Sequence, residues 1–98
     1  MNELVRTQEF DDWLRRLKDQ IGKARILARL RSASLGNFGD CEPVGDGISE
    51  MRIHAGPGYR VYFSRRGQKV YLLLCGGDKS TQQKDIKLAK ALLRNLEL

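Results

Sequence analysis

Two stretches flanking the turn Gly56-Pro57-Gly58 alternate polar and apolar residues. If they pair as a hairpin, the two-residue period of a strand brings Glu50, Arg52, His54, Arg60 and Tyr62 to one side of a sheet. Lys79 and Lys84, which follow the next strand, can approach that face from one end. The face then offers a carboxylate, two guanidiniums, an imidazole and a phenol. Such a set suits a phosphodiester. RNA carries its own nucleophile in the 2′-hydroxyl, and its cleavage needs no metal. The hydroxyl must be aligned and deprotonated, the phosphoryl oxygens neutralised, and the leaving 5′-oxygen protonated. Arginine suits the phosphoryl oxygens because its fork is planar and always charged. A His, Glu, Lys or Tyr with a shifted pKa can move the protons, and an aromatic ring can stack on an unpaired base.

Each residue also has a plainer role. Glu50 and Arg60 would satisfy one another as a cross-strand ion pair. His54, the only histidine, would be solvated at a sheet edge. Tyr62 would be a half-buried packing residue. Arg25 and Arg29 lie one turn apart on the outer side of a helix, and Lys87 falls in a second basic stripe with Lys90 and Arg94. Both stripes could touch RNA, or simply face water. Convergence of several cations and a phenol on one face is what favours chemistry. Other chemistries lack their residues. There is no phosphate-binding Gly loop of the Walker type, no dinucleotide fingerprint and, with one histidine, no Ser-His-Asp set. Cys41 and Cys75 stand far apart with no partner at ligand spacing, so no metal or other cofactor is expected, and two free thiols are.

The elements that must position this face follow from periodicity. Residues 2–6 suit a short strand. Thr7 is a plausible N-cap, after which Phe10, Trp13, Leu14, Leu17 and Ile21 recur at helical spacing until Gly22 breaks or bends the helix. A second helix runs from about Lys23 to Ser34 with Ile26, Leu27, Leu30 and Ala33 inward, and Gly36 stops it. Nine of the 10 glycines lie between Ser34 and Asp78, where the chain turns to strands. Cys41 to Val44 is a possible edge strand, since Pro43 removes a ladder donor. Residues 48–55, 59–65 and 70–75 follow, the last apolar on both faces and so expected to be covered on both. Gly76-Gly77-Asp78-Lys79 ends the sheet. Ser80 and Gln83 have capping-box spacing for a last helix, whose stripe is Ile86, Ala89, Leu93 and Leu96. The order gives one α+β domain over residues 1–98, with two helices packed on an antiparallel sheet and a C-terminal helix.

The chain has 98 residues and a formal net charge of +6. The cation excess sits in residues 1–35 and 79–98, the segments expected to be helical, and the middle is balanced. A basic surface of this kind attracts polyanions or an acidic protein, and it also solubilises. No stretch reaches the roughly 20 apolar residues a membrane span needs, and the N-terminus has no signal-peptide pattern. A cytoplasmic protein without a membrane partner is expected.

The runs Gly36-Asn37-Phe38-Gly39-Asp40, Pro43-Val44-Gly45, Glu50-Met51-Arg52-Ile53, Gly56-Pro57-Gly58-Tyr59-Arg60-Val61-Tyr62-Phe63 and Leu72-Leu73-Leu74-Cys75-Gly76-Gly77-Asp78-Lys79-Ser80 resemble the addiction module killer proteins. These are HigB-like toxins of the RelE/ParE superfamily. The similarity extends from about Phe10 to Ala91. It implies a RelE-like fold and the toxin of a type II toxin–antitoxin pair. It implies an mRNA interferase that acts on mRNA, commonly on the ribosome, and blocks translation. It implies a helix–turn–helix antitoxin as partner, through which alone the toxin meets DNA. On this chain the motif positions are Arg52 and Arg60 for the scissile phosphate, Tyr62 for a base, and Lys79 for the backbone or proton transfer, with His54 or Glu50 as a base. Lys84, Lys87, Arg25 and Arg29 are the further candidates for RNA contact. One departure stands out: many ribonucleases of the superfamily place a Tyr or His near the C-terminal end, and here none follows Tyr71. Lys and Arg could supply the acid and base, the ribosome could, or the target is not mRNA. The alternatives are therefore a ParE-like poison of DNA gyrase that cuts no RNA, and an adaptor whose basic surface serves an acidic partner.

Overall fold

A computed structural model of the chain describes residues 1–96. Strand β1 (Glu3–Arg6) leads into Thr7, whose hydroxyl oxygen accepts the Phe10 backbone N–H at 3.0 Å and so caps helix α1 (Gln8–Arg16). The first helix ends before the periodicity suggested. Leu17 turns out of it, and Asp19 caps helix α2 (Gln20–Ser34) by accepting the Gly22 N–H at 3.0 Å. The short polar link Lys18-Asp19 thus overrides a continuous stripe, because an Asp can start a second helix there. Ile21 is left 72% exposed rather than buried with Phe10 and Leu14, and Leu27, expected inward, faces outward. Gly22 is no break. It sits buried in the first turn of α2, where a Cβ would lie 2.4 Å from the Tyr59 ring.

Strands β2 (Cys41–Gly45), β3 (Ile48–Ile53), β4 (Tyr59–Arg65) and β5 (Val70–Asp78) form an antiparallel meander. The sheet order is β1-β5-β4-β3-β2, with β1 parallel to β5, so the sheet is mixed rather than wholly antiparallel. Strand β5 also runs three residues beyond Cys75: Gly76 and Gly77 stay in the ladder, opposite Val61 and Arg60. Gly77 is required there, since a Cβ would meet the Asp85 carboxylate at 1.8 Å. Opposite Tyr62 and Phe63 the register skips Leu74, and this bulge lets Leu74 and Cys75 both enter the core beneath helix α3 (Gln82–Leu96).

The helical hairpin covers one face of the sheet, over Met51, Ile53, Val61, Phe63 and Leu73. Helix α3 covers the other, over Ile48, Tyr62, Leu74 and Cys75. The fold is thus α+β in three layers, consistent with a RelE-like architecture, and β4 is covered on both faces. Cys41 packs under the hairpin and Cys75 under α3; both thiols are free, and burial pushes Cys75 up to about 12. The capping box before α3 is Asp78 with Thr81, around a 3₁₀ turn at Lys79–Thr81, two residues earlier than Ser80 and Gln83 suggested. Among the described residues, no helix is long and apolar enough to cross a membrane.

Candidate active site on the β3–β4 hairpin

In the β3–β4 ladder Arg52 stands directly opposite Arg60, and Glu50 opposite Tyr62. All four share the α3 side of the sheet, at the end that α3 leaves partly open. Glu50 is the hub. Its side chain is 1% exposed. One oxygen accepts from the Tyr62 hydroxyl at 2.9 Å and from the Gln82 amide at 2.8 Å. The other accepts from Arg52 Nε at 3.3 Å and lies 3.7 Å from Arg60 Nη1. The expected Glu50–Arg60 pair is therefore present, within a larger network. With both oxygens occupied and no open approach, Glu50 is badly placed to act as a base. Tyr62 is wholly buried, so the expectation that it stacks on a base fails for this conformation. Burial, and after it the hydrogen bond to Glu50, raises the Tyr62 pKa and keeps the phenol a neutral donor.

Beside this network lies a cleft of about 590 Å³, lined by Arg52, His54, Arg60, Lys79, Gln82 and the turn Gly56-Pro57-Gly58. Tyr59 pairs with Asp78, so the start of the 3₁₀ turn falls next to the β3–β4 turn and delivers Lys79 to the cleft. Arg60 is only 12% exposed, and its Nε is buried without a hydrogen-bond acceptor among the described residues. His54 follows the end of β3, is 74% exposed, and places Nε2 2.7 Å from the Asp40 carboxylate. That hydrogen bond holds the Asp40 carboxyl below its usual range against the cost of desolvation, and the nearby Arg52 adds to the effect.

Arg29 places Asp40 there. From α2 it donates to the carbonyls of Arg52, Phe38 and Asp40, while Phe38 stacks on Phe63 with ring centroids 5.3 Å apart. Its guanidinium thus staples the loop to the sheet and is not a spare RNA contact, contrary to the sequence-based expectation. Arg25 is exposed on α2 and lines a neighbouring groove that shares His54 with the cleft. Lys84 and Lys87 are exposed on α3 and do not line the cleft. Arg52 and Arg60 share one side of the sheet, as expected, but Arg52 is not idle. It is paired with Glu42, lies 3.7 Å from Asp40, and bonds Glu50. Asp40, Glu42 and Glu50 thus all converge on Arg52, and Glu50 also lies beside Arg60.

Asp40, Glu42 and Gln82 were not legible as site residues. Asp40 lies 14 positions from His54 in a glycine loop, and no spacing rule links them. The Glu42↔Glu50 register across β2–β3 would have pointed to Glu42, had the edge strand been paired in advance. No group of three or more His, Cys, Asp or Glu able to hold a metal ion occurs among the described residues.

Residues 10–94 match the family described as phage derived protein Gp49-like (DUF891). The chain is also 51% identical over 96 residues to an uncharacterized protein of Haemophilus influenzae, a match covering 98% of this chain and 97% of that protein.

Proposed function

Because the chain belongs to the Gp49-like, phage-derived family, a family of RelE/HigB-like toxins associated with toxin–antitoxin systems, we propose that it is a metal-independent endoribonuclease that cuts mRNA and arrests growth. The cleft that gathers Arg60, Lys79 and the Asp40-paired His54 is the observation that carries this reading. With Nε2–H donated to Asp40, His54 keeps the lone pair on Nδ1 and can take the proton of a 2′-hydroxyl. The 2′-oxygen attacks phosphorus, the bond to the 5′-oxygen breaks, and Lys79 returns a proton to that oxygen. The products are a 2′,3′-cyclic phosphate and a 5′-hydroxyl. Arg60 and Lys79 carry the charge that builds on the phosphoryl oxygens. His54 with Asp40 thus takes the place of the missing C-terminal Tyr or His, and Arg52, held by carboxylates, takes a secondary part.

Family membership suggests an antitoxin partner. We take it to be a helix–turn–helix protein that neutralises the toxin in the cytoplasm and carries the complex to DNA. The substrate is mRNA engaged by the ribosome, which would present single-stranded RNA to the cleft. The test is to induce the wild type and Arg60→Ala and map RNA 5′ ends. New 5′-hydroxyl ends within coding regions, absent with Arg60→Ala, are expected. Intact transcripts with a DNA-damage response would instead identify a gyrase poison, and the ribonuclease reading would fall.

A further inference from the structure

Glu50 is buried where an apolar side chain would cost less. Its neighbours on the α3 side include Ile48 and Leu74, both fully buried. A carboxylate there is tolerated only when its partners compensate for lost water. The partners come from three elements: Arg52 from β3, Arg60 and Tyr62 from β4, and Gln82 from the first turn of α3. Arg52 and Arg60 face each other across the ladder, an arrangement that like charges disfavour. One carboxylate set two residues further along the strands, on the same face and in reach of both, resolves that conflict and fixes how each guanidinium lies. It holds Arg60 by Nη1 and leaves the buried Nε a donor without an acceptor among the described residues.

We propose that Glu50 is a positioning residue. It orients the Arg60 fork toward a phosphodiester without touching substrate, and Tyr62 and Gln82 hold it in place. The proposal rests on the ribonuclease reading for its meaning, but its test does not need cleavage. Purified wild type and Glu50→Gln are labelled with ¹⁵N, and the Arg60 Nε–H resonance is followed while inorganic phosphate is added. The wild-type signal should move saturably. In Glu50→Gln, which keeps size and an acceptor for Tyr62 but loses the charge, it should exchange faster with water and lose its response. Gln82→Ala, at a partly buried helix start, should weaken the response by a smaller factor, and serves if Glu50→Gln does not fold. Where cleavage is measurable, Glu50→Gln should lower kcat by about 100-fold, the scale of an ångström-level misplacement, with KM little changed. An unaltered phosphate response in folded Glu50→Gln, or no response in the wild type, overturns the assignment. A Glu50-dependent response in a protein that cuts no RNA keeps Glu50 and removes the nuclease.

Discussion

Replacing Glu42 with Gln should make the protein bind RNA more tightly. Glu42 lies on the edge strand, its side chain 60% exposed, and it pairs with an Arg52 that is 28% exposed. An exposed pair of this kind is worth at most about 1 kcal/mol. A phosphate seeking Arg52 must first displace that partner, so its removal returns up to that amount. The carboxylate would also stand roughly 6 Å from a bound phosphate, and at the dielectric of water that repulsion is about 0.7 kcal/mol. Together they make somewhat over 1 kcal/mol, or a gain of about tenfold at low salt. Polarisation of a fluorescent RNA with 2′-O-methyl groups, which cannot be cut, measures it. Because a new phosphate contact releases a counterion, the plot of log affinity against log salt should steepen by about 0.7. In an Arg52→Ala background the same change should keep only the repulsion part, and the double-mutant cycle isolates the rest. Equal affinity for Glu42→Gln and wild type, or an equal gain with and without Arg52, would refute the view that carboxylates hold Arg52 back.

His54→Ala should lower cleavage by about 10²–10⁴-fold, the usual worth of a positioned proton-transfer group, and Asp40→Asn by less, as read from single-turnover rates on a defined RNA. Asp40 also makes stability depend on pH. Its folded pKa is depressed, so its contribution is fully present above the unfolded value of about 3.9 and is lost as pH falls through the folded value. Urea midpoints of wild type and Asp40→Asn should therefore differ near neutrality and converge in acid; a constant gap would show that the charge is not the cause. Gly22→Ala should destabilise by about 1–3 kcal/mol through overpacking on Tyr59, although at an exposed helical site the same change stabilises by about 1 kcal/mol. Thermal unfolding decides the sign.

The strands at the centre of the fold were legible because alternation states which side each residue faces. Met51 and Ile53 do turn from Glu50 and Arg52, and Val61 and Phe63 from Arg60 and Tyr62. Alternation does not state what covers a face. Tyr62 reads as half-buried because Arg60 and Ser64 share its face, yet α3 and the Glu50 network close over it. The parallel pairing of β1 with β5 joins segments far apart in the chain and leaves no local sign. Helix ends misled for a related reason. Leu17 and Ile21 continue a stripe, but Asp19 decides the boundary through one backbone hydrogen bond that periodicity does not weigh. The same limit hid Asp40, which reaches His54 where Arg29 and the Arg52 backbone N–H tie the glycine loop to β3.

That loop separates two tasks which the net charge alone would merge. Arg52 is paired with Asp40, Glu42 and Glu50, and Arg60 with Glu50, which damps the long-range attraction the cleft itself can exert on a polyanion. The excess charge lies elsewhere. Helix α2 carries Lys23, Arg25, Arg29 and Arg31 with no acid, and α3 carries four cations against Asp85. Cationic helices of this kind raise encounter rates with polyanions without regard to sequence, and on the proposed reading Arg25, whose groove meets the cleft at His54, is the helical cation best placed to pass a strand inward. On the proposed ribonuclease reading, a phosphate entering the cleft must compete with Asp40 and Glu42 for Arg52 and with Glu50 for Arg60. On the same reading, binding would be cheap on the helices and selective at the strands. A basic ribonuclease surrounded by folded RNA would need that division to spend its time on strands presented to it single and extended.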